Sequence, residues 1–564
     1  MSGPQTPHAE YLHASKYRAT GESFEEGMNR VASPLTDNRA EFLAFREPLL
    51  GMRFLPGGRI QAAVGSPKQV TPYNCFVSGE IHDSFIDGHG SIMKRATQAA
   101  QTMRLGGGIG YDFSSLRPRG ATIKKLGSVS SGPVAFMGIF DAICKCIASS
   151  GHRRGAQMGI LRVDHPDIEE FIHAKQNDDR LTGFNLSIGV TDEFMIAVRD
   201  DQPFRLRWKN EVYATVNARA LWEKIMRSTW DWAEPGVIFV DRINDLNNLW
   251  YCELIAATNP CGEQPLPPYG ACLLGSFNLV KYLRFEDDGW NFDWDLFRKD
   301  IPLAVRAMDR VIDVATYPMY EQEQEAHNKR RMGLGVTGLA NAGETLGHPY
   351  GSDGFLNFEM GVFMCLRDEA YRASALLAQE RGSFPLFDRD KYLTGKFIST
   401  LPEDIRQLIM AHGIRNSHLL SVAPTGTISL TADNVSSGIE PVFSTRVRRT
   451  VQTFEGPQEF VLEDYAHAAH GVEPRAAETV TAMEHLRVLA LAQQYVDSSV
   501  SKTCTVSDDM EWEDFKQLYS TAWELGCKGL TTFNPSGKRM GIIKKEEEES
   551  SCRIDSITGR KECD

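Results

Sequence analysis

No uninterrupted run of about 18 apolar residues occurs in the 564-residue chain, so no membrane-spanning helix is expected. The N-terminus is polar and lacks the apolar core of a secretory leader. There is no Cys-x-x-Cys pair, and the 11 cysteines are odd in number and widely scattered. That excludes a secreted disulfide framework and suits a reducing cytoplasm, where single thiols can act. The run Gly106–Gly110 lacks Gly-x-Gly-x-x-Gly spacing, and no Rossmann unit with an acidic residue follows it, so a dinucleotide site is rejected. Its glycines are expected to let backbone and substrate approach closely. Positive charge is also scarce, with 61 Lys and Arg against 74 Asp and Glu, a net charge of −13. This argues against a general nucleic-acid or membrane surface. An anionic ligand would need a local cradle.

What is present is an ordinary globular composition, 42% hydrophobic and 24% charged, with ample length for a large core. The length suggests roughly three to four domains, although a single large α/β barrel also fits. Residues 1–16 read as a loosely packed lead-in. A helical pattern follows, with Phe24, Met28 and Val31 at spacings of three and four. Asn74 to Val77 reads as the start of a strand, and Asp83-Ser84 as a helix N-cap. Leu181–Thr191 and Gly236–Val240 read as strands. Ala218–Ala233, Phe297–Thr316 and Phe358–Glu380 read as helices. Cys144 and Cys146 fall on different sides of a helix and read as packing residues. This strand-then-helix recurrence predicts a mainly parallel α/β barrel.

The most informative stretch is NPCGEQPLPPYGACLLGSFNL, Asn259 to Leu279. Its Pro and Gly content rules out regular helix. As a loop it brings together the Asn259 amide, the Cys261 thiol and the Glu263 carboxylate. That set holds a hydrogen-bond clamp, a nucleophilic or one-electron centre and a proton acceptor. The competing reading is a buried cysteine in a plain turn. A second stretch, Ser421–Leu430, reads as strand, then Pro, then Thr-Gly-Thr-Ile-Ser. Backbone N–H groups and hydroxyls there could cradle an anion. Arg117 and Arg154 sit on polar loops and read as either solvated charge or phosphate contacts.

These motifs resemble the ribonucleotide reductase large chain, most closely the adenosylcobalamin-dependent class. The resemblance recurs in GILRVDHPDIEEF (Gly159–Phe171), RRMGLGVTGLAN (Arg330–Asn341) and APTGTISLTADNVSSGIEP (Ala423–Pro441), and it runs from about Tyr17 to the end. It implies a ten-stranded α/β barrel over residues 17–543 with a finger loop at its centre, and a redox-shuttle tail over 544–564. It implies a thiyl radical on Cys261, with Glu263 as base and Asn259 holding the sugar. Cys75 and Cys272 become the reducing pair, and Cys552 and Cys563 the tail shuttle. Asn74, Gly107 and Ala423, Pro424, Thr425, Gly426, Thr427, Ile428 and Ser429 are expected to bind the ribonucleotide di- or triphosphate. Asp83, Ser84, Arg117 and Arg154 are expected to bind a deoxynucleoside triphosphate effector.

Adenosylcobalamin is the implied cofactor, with no metal ligand from protein side chains, and thioredoxin or glutaredoxin the implied reductant; a homodimer is compatible with the family. The Glu546–Glu549 run reads as solvated. The regulatory ATP-cone would lie before Tyr17, where the sequence leaves no room for it, so overall control by dATP is not expected. Thr531-Thr532 stands where metal-dependent class I large subunits carry a tyrosine pair, which disfavours that class. An inactive nucleotide-binding regulator is disfavoured by the intact Asn259, Cys261 and Glu263.

Overall fold

The computed structural model describes residues 2–124, 126–149, 153–154, 156–176, 180–287, 289–453, 456–507, 509–534, 544–545, 552–554 and 561–563. The central strands are marked by burial rather than alternation. In Phe184–Val190 every residue but Asn185 is buried. Strands covered on both faces lose the polar alternation of a half-exposed sheet.

Twelve short strands frame the interior: β1 Cys75–Val77, β2 Gly108–Asp112, β3 Gln157–Arg162, β4 Phe184–Val190, β5 Gly236–Phe239, β6 Ala257–Thr258, β7 Pro265–Leu266, β8 Ala271–Cys272, β9 Leu274–Asn278, β10 Gly333–Thr337, β11 Thr503–Thr505 and β12 Gly529–Phe533. One sheet runs β8-β1-β2-β3-β4-β5-β12-β11. Its strands β1 to β5 are mutually parallel, whereas β8 on β1 and β12 on β5 are antiparallel. A second sheet places β9 between Phe54–Pro56 and the parallel β10. Single parallel bridges, Leu334 to Leu420 and Val422 to Val500, run from β10 toward the segment that leads into β11.

Helices cover the outside. Trp294–Val314 starts at an Asp293 cap and Asp353–Arg381 at a Ser352 cap, and each buries one apolar face. Ala218–Trp232 matches its expected span, capped by Asn217. No helix among the described residues is long and apolar enough to cross a membrane. The main hydrophobic cluster lies between strands and helices. A smaller one, with Val77, Met158, Leu266, Cys272, Leu274 and Ala423, fills the space between the strands themselves.

Three local expectations need correction. The N-terminal lead-in is not loose, because Pro7–Tyr17 is a helix that buries Ala9, Leu12, His13 and Tyr17. Asp433 Oδ1 holds its first turn, accepting from Gln5 N and Thr6 N at 2.8 Å each and from Thr6 Oγ1 at 3.0 Å. Asp83-Ser84 caps no helix; the next helix, Ile92–Arg104, takes its cap from Ser91. Ile428–Leu430 is helical rather than extended. Pro424 and the left-handed Thr425 (φ 52°) turn the chain into the short helix Gly426–Thr431. Of the Gly106–Gly110 run, Gly110 within β2 is the one that most closely admits another stretch of backbone, the Thr258 carbonyl.

Candidate active site

The Asn259 stretch forms a hairpin. β6 and β7 pair as Ala257 with Leu266 and Thr258 with Pro265. Asn259 closes the tip three times: its N–H donates to Gln264 O (3.1 Å), its carbonyl accepts from Gly262 N (3.1 Å), and its Oδ1 accepts from Gln264 N (3.0 Å). Gly262 takes the positive φ of 80° that the turn demands.

The tip is pinned from three sides. Asn185 Nδ2 on β4 donates to Pro260 O at 2.8 Å. Ser421 Oγ (2.9 Å) and Ser499 N (3.0 Å) donate to Glu263 O. Two glycines make room for it. A β-carbon built on Gly110 would lie 1.8 Å from Thr258 O, and one on Gly333 would lie 2.4 Å from Gln264 Nε2. Gly107 instead lies against the Phe76 ring.

Cys261 is exposed at the tip, whereas Asn259, Glu263 and Gln264 are buried. Burial pushes the Glu263 carboxyl up to about 7, against a downward pull from Asn259. Glu263 Oε2 and Asn259 Nδ2 are buried with no hydrogen-bond partner. A carboxyl and an amide left unpaired in an interior are costly unless a ligand completes them.

Cys75 and Cys272 are register partners across β1 and β8, and Asn74 N donates to Cys272 O at 3.3 Å. Burial pushes the Cys272 thiol well above its usual range, and Glu263, Cys75 and Cys261 add to the effect. Those electrostatic couplings place Cys272 near all three groups.

The Ala423–Ser429 turn follows the bridge at Val422. Thr425 Oγ1 lies 2.9 Å from Thr337 Oγ1, at the end of β10, and accepts from Gly438 N at 2.7 Å. Ser429 Oγ lies 3.0 Å from Ser437 Oγ. At the start of the helix Gly426 is exposed and Thr427 half-buried.

Asp83 and Arg117 come together: the carboxylate accepts from Arg117 N (3.2 Å) and Nε (2.8 Å). Ser84 Oγ, one residue on, accepts from Asp87 N at 3.1 Å. Arg154 lies on the strand Arg153–Arg154, and its side chain falls outside the described residues. Cys552 and Cys563 are backbone partners across two three-residue strands, and their side chains likewise fall outside. Cys144 is buried and Cys146 exposed.

Sequence reasoning does not single out Ser421, Ser499, Gln264 or Asn278. Gln264 and Asn278 carry buried side-chain amides with no hydrogen-bond partner at either atom. Asn278 had a legible signal: it shares the strand parity of Cys272, at every second residue. Ser421 and Ser499 had none, because only the fold brings them to Glu263.

The profile of the family described as "Ribonucleotide reductase, barrel domain" matches residues 74–533. The chain belongs to the ribonucleotide reductase family. The reductase is 34% identical over 552 residues to the vitamin B12-dependent ribonucleoside-diphosphate reductase of Thermoplasma acidophilum, covering 92% of this chain and 68% of that protein. It is 35% identical over 530 residues to the protein of the same name from Mycobacterium tuberculosis, covering 88% of this chain and 72% of the relative. The ribonucleoside-diphosphate reductase subunit alpha of Chlamydia muridarum is 28% identical over 429 residues, which is 66% of this chain and 40% of that protein.

Proposed function

We propose that this reductase converts ribonucleotides to 2′-deoxyribonucleotides for DNA synthesis by radical chemistry dependent on adenosylcobalamin. One observation carries the reading. An exposed thiol, Cys261, stands at the tip of a pinned hairpin, above a buried carboxyl and beside two cysteines in disulfide register. The similarity to vitamin B12-dependent reductases supports the cofactor. The site fits such a group, because Cys261 is open to an approach from outside while its neighbours are enclosed. When bound, the cofactor supplies the one-electron chemistry that takes a hydrogen atom from a thiol. Cys261 would be the thiol on which that chemistry acts.

The remaining steps belong to the chain. Cys261, having lost its hydrogen atom, takes the 3′ hydrogen of the ribose. Glu263 takes the 3′-hydroxyl proton, with a pKa placed near neutrality for that work. Asn259 hydrogen-bonds the sugar oxygens through Nδ2. The 2′-hydroxyl then leaves as water. Cys75 and Cys272 together give two electrons and two protons. One proton goes into the water, a hydrogen replaces the hydroxyl, and the sulfurs close into a disulfide. The 3′ hydrogen returns from Cys261, and Glu263 gives its proton back to the 3′ oxygen. Exchange with Cys552 and Cys563, and then with a thioredoxin or glutaredoxin, reopens the pair.

The substrate phosphates lie on the Ala423–Ser429 turn, with Asn74 and Gly107 on the sugar side. Asp83, Ser84, Arg117 and Arg154 serve a deoxynucleotide effector. The strands β1 to β5, β9, β10, β11 and β12, with the bridged 420–422 segment, make up the ten of the barrel. The pairing of β8 with β1 and the bridges at Leu420 and Val422 support its closure.

The test is purified chain with adenosylcobalamin, a dithiol and a ribonucleotide. Deoxynucleotide formation is expected. Activity that ignores cobalamin and requires a metal-bearing subunit would overturn the reading.

A further inference from the structure

The segment Ser499–Thr503 touches both ends of the site. Ser499 N donates to Glu263 O at 3.0 Å, and Ser499 O accepts from Val422 N at 3.1 Å. Ser501 N donates to Val422 O at 2.8 Å. At the next residue, the side chain of Lys502 is wholly buried, with Nζ 2.7 Å from Glu440 Oε2. The other oxygen of Glu440 accepts from Thr503 N at 2.7 Å. Both carboxylate oxygens of Glu440 are thus taken up by one short piece of chain.

Glu440 ends the loop that backs the phosphate turn. Tyr350 OH donates to Ile439 O at 2.6 Å, and Lys502 Nζ lies 5.5 Å from the centre of the Tyr350 ring. Gly438 N donates to Thr425 Oγ1 at 2.7 Å, and Ser437 Oγ lies 3.0 Å from Ser429 Oγ. Ser436 O accepts from Gly338 N at 2.7 Å, and Ser436 N donates to Asn341 Oδ1 at 2.6 Å. Every residue from Ser436 to Glu440 is held. Two of them hold Thr425 and Ser429 directly.

We propose that the Lys502–Glu440 pair is a positioning latch. It ties the wall behind Thr425 and Ser429 to the same segment that fixes Glu263, and so sets the distance between the phosphate end and the sugar end of the site. This rests on the reading that Ala423–Ser429 holds the substrate phosphates. A buried lysine with one carboxylate partner is an expensive way to secure a loop, since desolvation offsets much of the attraction. The pair contributes position and register to the turn. Neither residue touches the reacting atoms.

The test uses full-length chain with cofactor, in four variants: Lys502→Met, Lys502→Arg, the double variant Lys502→Met with Glu440→Leu, and Thr425→Ala. Lys502→Met should raise the ribonucleotide KM about tenfold or more, with kcat within about threefold, because it displaces phosphate contacts rather than the reacting groups. It should also lower Tm, since Glu440 loses its counter-charge. Lys502→Arg should recover most of the KM. The double variant removes both charges, so Tm should return while KM stays high. It also carries the test if Lys502→Met does not fold.

A double variant that regains wild-type KM along with Tm would overturn the latch. So would an unchanged KM in Lys502→Met beside a raised KM in Thr425→Ala. If Thr425→Ala also leaves KM unchanged, the phosphate reading falls and the latch with it.

Discussion

Cys75 and Cys272 stand directly opposite each other where β1 pairs with β8. Opposed residues in an antiparallel pair have Cα atoms about 4.5–5.5 Å apart, inside the roughly 4.4–6.8 Å span of a disulfide. The two sulfurs can therefore join without backbone rearrangement. In a chain carrying Cys552→Ser and Cys563→Ser, which cannot reopen the pair from its own tail, reaction without added reductant should yield about one deoxynucleotide per chain and a Cys75–Cys272 bond. Peptide mapping by mass spectrometry checks this. A product burst with both thiols still reduced would remove the pair from the reaction.

Cys261→Ser should abolish turnover while the protein still binds nucleotide. Serine keeps the shape of the exposed tip, and its O–H bond is too strong to yield a radical as the thiol does. The measurement pairs product formation with the nucleotide-induced rise in Tm. Turnover near the wild-type rate would refute the assigned role of Cys261.

Glu263 gives opposite pH trends for stability and activity. Its pKa rises from 4.5 to about 7 on folding, so the native state binds the proton more tightly than the unfolded chain does. That stabilisation is complete below about pH 4.5 and disappears as pH rises through about 7. Glu263→Gln should therefore gain stability over wild type between about pH 5 and about pH 8, by at most ~3 kcal/mol. Wild-type kcat/KM should climb over the same interval as the carboxylate forms. Glu344, which burial also pushes up to about 7, is common to both proteins and cancels in the comparison. A flat difference in Tm across the interval would contradict the buried carboxyl.

Asp433→Ala should strip the acceptor from Gln5 N, Thr6 N and Thr6 Oγ1 together. A loss of about 1–3 kcal/mol is expected for polar groups left without partners. Hydrogen exchange should quicken over Pro7–Tyr17 in particular. Unchanged exchange there would show that apolar packing alone holds the helix.

Cys552→Ser with Cys563→Ser should spare turnover driven by dithiothreitol and cripple turnover driven by thioredoxin. Cys272 is fully buried, where a small dithiol reaches more readily than a protein does. Steady-state rates with the two reductants decide it. Equal loss with both would make the tail structural.

Much of this was legible in the sequence. The Pro- and Gly-rich composition of the Asn259 stretch forbids helix, and the hairpin follows. The strand at Cys75 and the helix at Ala218 lie within a residue or two of their expected bounds. What escaped depends on distant contacts. Pro7–Tyr17 is weakly amphipathic, and its first turn is secured by a carboxylate 427 positions away. The glycines near β2 signalled a close approach, but not that the approaching atom is Thr258 O. Ser421 and Ser499 look unremarkable until folding places both on the Glu263 carbonyl.

The pinning of the hairpin tip also sets when the thiol acquires its surroundings. During synthesis Cys261 leaves the ribosome long before Ser421 and Ser499, the residues that fix Glu263. An unfinished chain carries the cysteine without the carboxyl held in place beside it. Competence for the chemistry proposed for Cys261 would arrive only as the last third of the polypeptide docks. Contacts so far apart in sequence form late in folding. On the proposed reading the architecture times the hazard: the surroundings that would make Cys261 a hydrogen-abstracting centre are assembled only once the C-terminal segments have docked.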